Sequence, residues 1–203
     1  MESPLEGKLE SALDQGTLLT ESGRENFLRA FRDYQSQWRS HSRPILLAES
    51  SPIHYLAGFW AAVAAGRPVI LGNPDWRRHD WIQLQAKFGP SLEMVGGPSL
   101  DFTGREADLP GPGEILIPTG GSGGSIKLAR HRWETLAAAA RGLAEFLGEG
   151  PIHSFCVLPL CHVSGIMQSV RALLTGGSLE LRDWRQWRAS GFPPPRFQEP
   201  GYL

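Results

Sequence analysis

Short apolar runs alternate with longer amphipathic ones along most of the chain, and no other feature restricts the fold as much. "RPILLAES" (43–50) and "RPVILGN" (67–73) read as buried strands, and "LEMVG" (92–96), "EILIP" (114–118), "FCVLPL" (155–160) and "SLELR" (178–182) as further ones. Before and between them lie segments with helical spacing. Phe27, Leu28, Phe31, Tyr34 and Trp38 form one stripe, and Ile53, Leu56, Trp60 and Val63 a second. Trp133, Leu136, Ala140, Leu143 and Leu147 form a third, with a weaker helix over Trp76–Phe88 and another over Val163–Thr175. The punctuation agrees. Ser22 stands three residues before Glu25 as a capping box, Ser51 precedes a proline at the first helical position, and Gly66 ends that helix. Strands alternating with helices of about a dozen residues imply an α/β fold, a mostly parallel sheet flanked by helices. In such sheets ligands bind beyond the carboxyl ends of the strands.

Composition removes several classes of function. With a formal charge of −1 over 203 residues, the chain has no basic footprint for nucleic acid and no acidic tail. "MESPLEGKLE" has none of the features of an export signal, and the longest apolar run, Leu56–Ala65, is about half of what a membrane span needs. The expected location is the cytoplasm. His153, Cys156, Cys161 and His162 crowd together in "HSFCVLPLCH", but on an extended strand positions 153 and 161 face away from 156 and 162. Their spacing fits no common zinc pattern, so no metal site is expected and the cysteines read as small apolar residues.

Two strands end in loops with chemistry. The first is "PTGGSGGSIK", Pro118–Lys127. A linker would join self-contained regions, whereas this segment lies between a buried strand and an amphipathic helix. It is not a Walker loop, because Ile126 and Leu128 flank Lys127, and it lacks the G-x-G-x-x-G of dinucleotide sites. Its glycines still let successive N–H groups turn inward as an anion nest, with Thr119 and Ser122 as hydroxyl donors and Lys127 as a charge. The second loop is "PLCHVSG", ending at Gly165.

"ILIPTGGSGGSIK" resembles the phosphate-binding signature of adenylate-forming enzymes, the acyl-CoA synthetases and related ligases. Thr119, Gly121, Ser122, Gly124 and Lys127 fall on its positions, while Gly123 replaces the usual threonine and Ile126 the commonest proline. "ARHRWETL" is similar to the strand and helix start that follow, "VLPLCHVSGIM" to a Pro-Leu-x-His-x-x-Gly element, and "FWAAVAAGRPVILGNPDW" to the helix–strand near the start of these folds. "LPLCHVSG" with "ALLTGGSLELRDW" is most like the 2-succinylbenzoate–CoA ligases of menaquinone and phylloquinone synthesis.

The resemblance implies ATP-dependent activation of a carboxylic acid to an acyl-adenylate, then transfer to coenzyme A, with Mg2+ accompanying ATP. Residues Thr119, Gly120, Gly121, Ser122, Gly123, Gly124 and Lys127 would hold the phosphates. His162, Ser164 and Gly165 would meet the acid, with His162 and Lys127 as the catalytic pair; His162 has the alternative of simply capping the next helix. Arg130, His131 and Arg132 read as a solvated turn. Organisation is expected as an irregular arm (1–21), an N-terminal adenylation unit (22–183) and a proline-rich tail (184–203) entering a further element. No adenine, ribose or C-terminal lysine motif is found, so the chain is expected to be the N-terminal part of the family's large domain. A separately encoded C-terminal portion or a second copy is the expected partner. The alternative is a non-catalytic phosphate-binding or interaction module.

Overall fold

The computed structural model describes residues 4–14, 19, 21–38, 42–98, 108–119, 125–148 and 150–191. Five strands form the main sheet: β1 (Ile45–Ala48), β2 (Val69–Leu71), β3 (Glu93–Gly96), β4 (Glu114–Thr119) and β5 (Lys127–Arg132), in spatial order β3-β1-β2-β4-β5. The first four run parallel and β5 is antiparallel to β4. This matches the α/β class read from the alternation.

Period-two alternation sorts the central strands between two faces. Ile45, Leu47, Val69, Leu71, Ile115 and Ile117 face one apolar cluster, whereas Leu46, Ala48, Ile70 and Leu116 face the other. The first cluster receives α2 (Glu21–Trp38), α3 (Pro52–Ala64), α5 (Trp133–Phe146) and α6 (Val163–Thr175). The second receives α4 (Arg78–Phe88) through Trp81, Leu84 and Phe88. Helix α3 is buried at every position from Tyr55 to Ala62, as a helix apolar all round must be. Ser51 caps it by accepting from the His54 N–H, with Pro52 at its start.

Four expectations are corrected. Residues 4–14 are not an irregular arm but helix α1 (Pro4–Asp14), which buries Leu9 and Leu13 one turn apart. Leu19 then bridges Leu179, tying the segment to the domain. Helix α2 begins at Glu21, so Ser22 sits inside its first turn rather than before it. The tail region opens with helix α7 (Trp184–Ala189), capped by Asp183; the proline-rich remainder, 192–203, lies outside the described residues. Finally, β6 (Ser154–Cys156) and β7 (Leu179–Leu181) pair with each other in a separate two-stranded parallel sheet. Strand β6 is only three residues long, so the alternation argument does not extend to Cys161 and His162.

The Gly176–Gly177 pair shows how tightly α6 returns to this small sheet. Gly176 takes the left-handed conformation that ends the helix. A Cβ on Gly177 would lie 2.1 Å from the Ile152 carbonyl oxygen. Gly177→Ala is expected to lower the unfolding free energy by about 2–4 kcal/mol. Gly142→Ala, on the exposed face of α5 with open space around it, should raise it by about 0.5–1 kcal/mol. Urea denaturation of the two variants checks the pair.

Candidate functional site

Strands β1, β2 and β4 all deliver their carboxyl ends to one edge of the sheet. At that edge β4 ends on Thr119, whose Cα partner across the hairpin is Lys127, the first residue of β5. The Thr119 hydroxyl also donates to the Lys127 carbonyl at 3.4 Å. Both side chains are exposed. The pairing brings together the two ends of the glycine segment, whereas Gly120, Gly121, Ser122, Gly123 and Gly124 lie outside the described residues.

The exit of the segment is gripped from α4. The Ile126 N–H donates to Gln83 Oε1 at 2.9 Å, and the Ile126 side chain packs against the cluster built on Trp81 and Leu84. Sequence patterning did not single out Gln83, since a polar residue on a helix carries no mark of a partner 43 positions away.

Arg130 and Arg132 lie on a strand, not in a turn. Arg130 pairs with Glu114 at 2.6 Å and with Asp108. The Gly111 N–H, donating at 2.8 Å, and the Arg130 and Arg132 guanidiniums hold the Glu114 carboxyl below its usual range. These arginines therefore serve the base of the hairpin.

The second group of expected residues gathers where β6 leads into α6. His162 occupies the N-cap position with extended backbone angles, but its side chain makes no capping hydrogen bond. Its carbonyl accepts from the N–H groups of Gly165 and Ile166, each at 3.1 Å. The imidazole, half-buried, is thus not consumed by the capping role that was its structural alternative. Ser164 is exposed in the first turn. A Cβ on Gly165 would fall 2.3 Å from the Pro159 carbonyl oxygen, so the chain's own backbone demands this glycine.

A cleft of about 240 Å³ opens beyond the carboxyl ends of β1, β2, β6 and β7, where the α/β rule places ligands. Glu49, Tyr55, Asp75, Cys161, Trp184 and Arg185 are among its walls. Tyr55 is buried and donates to the Gly72 carbonyl at 3.1 Å, and Arg185 reaches Asp75 at 3.0 Å across the opening. Thr119, Lys127 and His162 do not line it. Pro159, Leu160 and Cys161 of the "PLCHVSG" loop line it, whereas its charged walls were not anticipated. Among the described residues no three His, Cys, Asp or Glu side chains cluster as a metal site.

Comparison with solved structures decides the fold. A variant of MenE from E. coli with bound OSB-AMS matches at a TM-score of 0.56, with 21% identity over 76% of this chain. O-succinylbenzoate coenzyme A synthetase (MenE) from Bacillus subtilis in complex with AMP gives 0.59, with 17% identity over 79% of this chain. The adenylation domain of a keto acid-selecting NRPS module, bound to keto acyl adenylate, gives 0.64, with 16% identity over 91%. The fold is that of part of an adenylate-forming ligase domain. The chain spans 38%, 49% and 43% of the lengths of these three proteins. No family model matches the sequence, and no curated protein matches it. Among the described residues no helix is long and apolar enough to cross a membrane.

In this fold the two cysteines are buried. Burial pushes both thiols from about 9 up to about 11, because a thiolate loses its hydration there. Their folded values exceed the unfolded ones, so the associated stability is fully present below pH 9 and is lost as pH rises through 11. Urea unfolding at several pH values should show the free energy falling across that window. Cys156→Ala/Cys161→Ala should flatten the decline.

Proposed function

We propose that this chain contributes the polyphosphate and carboxylate ends of an acid-activating site that forms an acyl-adenylate from ATP. The observation that carries the proposal is the pair that closes the loop of the β4–β5 hairpin. It sets an exposed Thr119 hydroxyl beside Lys127 at the carboxyl edge of a sheet whose solved neighbours hold AMP or an acyl adenylate. The match of "TGGSGGSIK" to the phosphate signature supports it.

In this reading a substrate carboxylate attacks the α-phosphate of ATP, and pyrophosphate leaves. Negative charge grows on the departing phosphates, where Lys127 neutralises it, the Ser122 hydroxyl donates a hydrogen bond, and the Thr119 hydroxyl turns its one proton from the long 3.4 Å contact with the Lys127 carbonyl to the phosphate. Residues Gly120, Gly121, Gly123 and Gly124 supply backbone N–H donors with no side chain in the way. Mg2+ would arrive with the nucleotide. His162 sits by the acid carboxylate, Ser164 hydrogen-bonds it, and Gly165 keeps the start of α6 close to the Pro159 carbonyl, in the loop that leads to His162. Holding the acid in line with the leaving group lowers the barrier by orientation.

The acid proposed is 2-succinylbenzoate, on the likeness of "LPLCHVSG" and on the MenE neighbours, with coenzyme A as the second-step acceptor. Adenine and ribose contacts would come from polypeptide outside this sequence, contiguous or separately encoded. The proposed setting is the cytoplasm.

Titration calorimetry with Mg·ATP tests the phosphate half. Lys127→Ala is expected to weaken binding about 10-fold or more and Ser122→Ala about 3- to 10-fold, the range for charged and neutral hydrogen-bond partners. Affinity indifferent to both substitutions would favour the non-catalytic alternative. Exchange of pyrophosphate into ATP, driven by 2-succinylbenzoate once the remaining ligase portion is supplied, tests the acid.

A further inference from the structure

The grip of α4 on the end of the glycine segment is built from two contacts that converge on one residue. Ile126 packs its side chain against the cluster of Trp81, Leu84 and their neighbours, and its N–H donates to Gln83 Oε1 at 2.9 Å. The amide of Gln83 is itself oriented, because its Nε2 lies 2.6 Å from His79 Nε2 one helical turn back. With that end of the amide engaged, Oε1 faces the hairpin. Lys127 follows Ile126 directly, and its side chain is exposed.

We propose that Gln83 is a positioning residue for Lys127, acting through the Ile126 peptide and fixing where the ammonium meets the phosphates of the nucleotide. The proposal rests on the phosphate-loop reading above. It extends the site to α4, a helix on the opposite face of the sheet from α3, α5 and α6. Gln83 touches no substrate; it removes the freedom of the peptide from which the lysine springs, so the charge is held in place before the nucleotide arrives.

The test uses Gln83→Met, which keeps length and loses the acceptor, alone and with Lys127→Ala. Two readouts are taken: backbone amide exchange at Ile126 and Mg·ATP affinity by calorimetry. Gln83→Met is expected to speed Ile126 exchange and to weaken Mg·ATP about 3- to 10-fold, the range for one lost hydrogen bond. In the Lys127→Ala background the same substitution should change affinity less than about 2-fold, because its effect passes through the lysine. Gln83→Glu retains the acceptor and should keep the Ile126 amide protected, which covers the case in which the methionine variant fails to fold. An equal loss of affinity in both backgrounds overturns the proposal, as does an Ile126 amide indifferent to Gln83. A wild-type chain that binds no Mg·ATP overturns the phosphate-loop reading and the positioning role together. One that binds it with an affinity insensitive to Gln83 overturns the positioning role alone.

Discussion

The parallel pairing of β1 with β2, buried on both faces, is the constraint on which the rest of the molecule depends. Ile45 sits opposite Val69 and Leu46 opposite Ile70, and all of these side chains are fully buried. A slip of one residue would exchange every side chain between the cluster under α3 and the cluster under α4. The register therefore decides where β4 docks against β2, and so where the glycine segment leaves the sheet. It also sets the distance over which α4 meets the exit of that segment.

Much of this arrangement is legible in the residues. Continuous apolar runs mark strands covered on both sides, and the stripe of Phe27, Phe31 and Trp38 becomes the buried face of α2. The losses have physical causes. Helix α1 has only a few apolar positions spread among charges and a glycine, so its helicity is decided by docking Leu9 and Leu13 rather than by pattern. Helix α7 packs by aromatic contact, with Trp187 of the helix at 5.0 Å from Phe155 on β6, a pairing invisible without the topology. The division into two sheets is equally hidden. Nothing in "FCVLPL" or "SLELR" tells which strand each will pair with.

The residues proposed for the site stand out by spacing and not by packing. Thr119 and Lys127 are brought opposite each other as a loop anchored at both ends requires. His162 stands at a helix start with its side chain uncommitted to capping. Gly165, in contrast, is explained first by the nearness of the Pro159 carbonyl. Ile126 is the most informative departure from the resembling signature. Where proline is commonest, this residue has an N–H to give, and Gln83 accepts it. A proline there would have no N–H to give; Ile126 donates its own to a neighbouring helix.

In the proposed reading the carboxyl edge of β4, and not the charged cleft, receives the phosphates of a nucleotide. Mapping backbone amide chemical shifts while Mg·ATP is added tests this most directly. The largest changes are expected from Thr119 to Lys127, with Gln83 following and with Asp75 and Trp184 unmoved. Changes concentrated at Asp75, Trp184 and Arg185, or none along the hairpin, would contradict it.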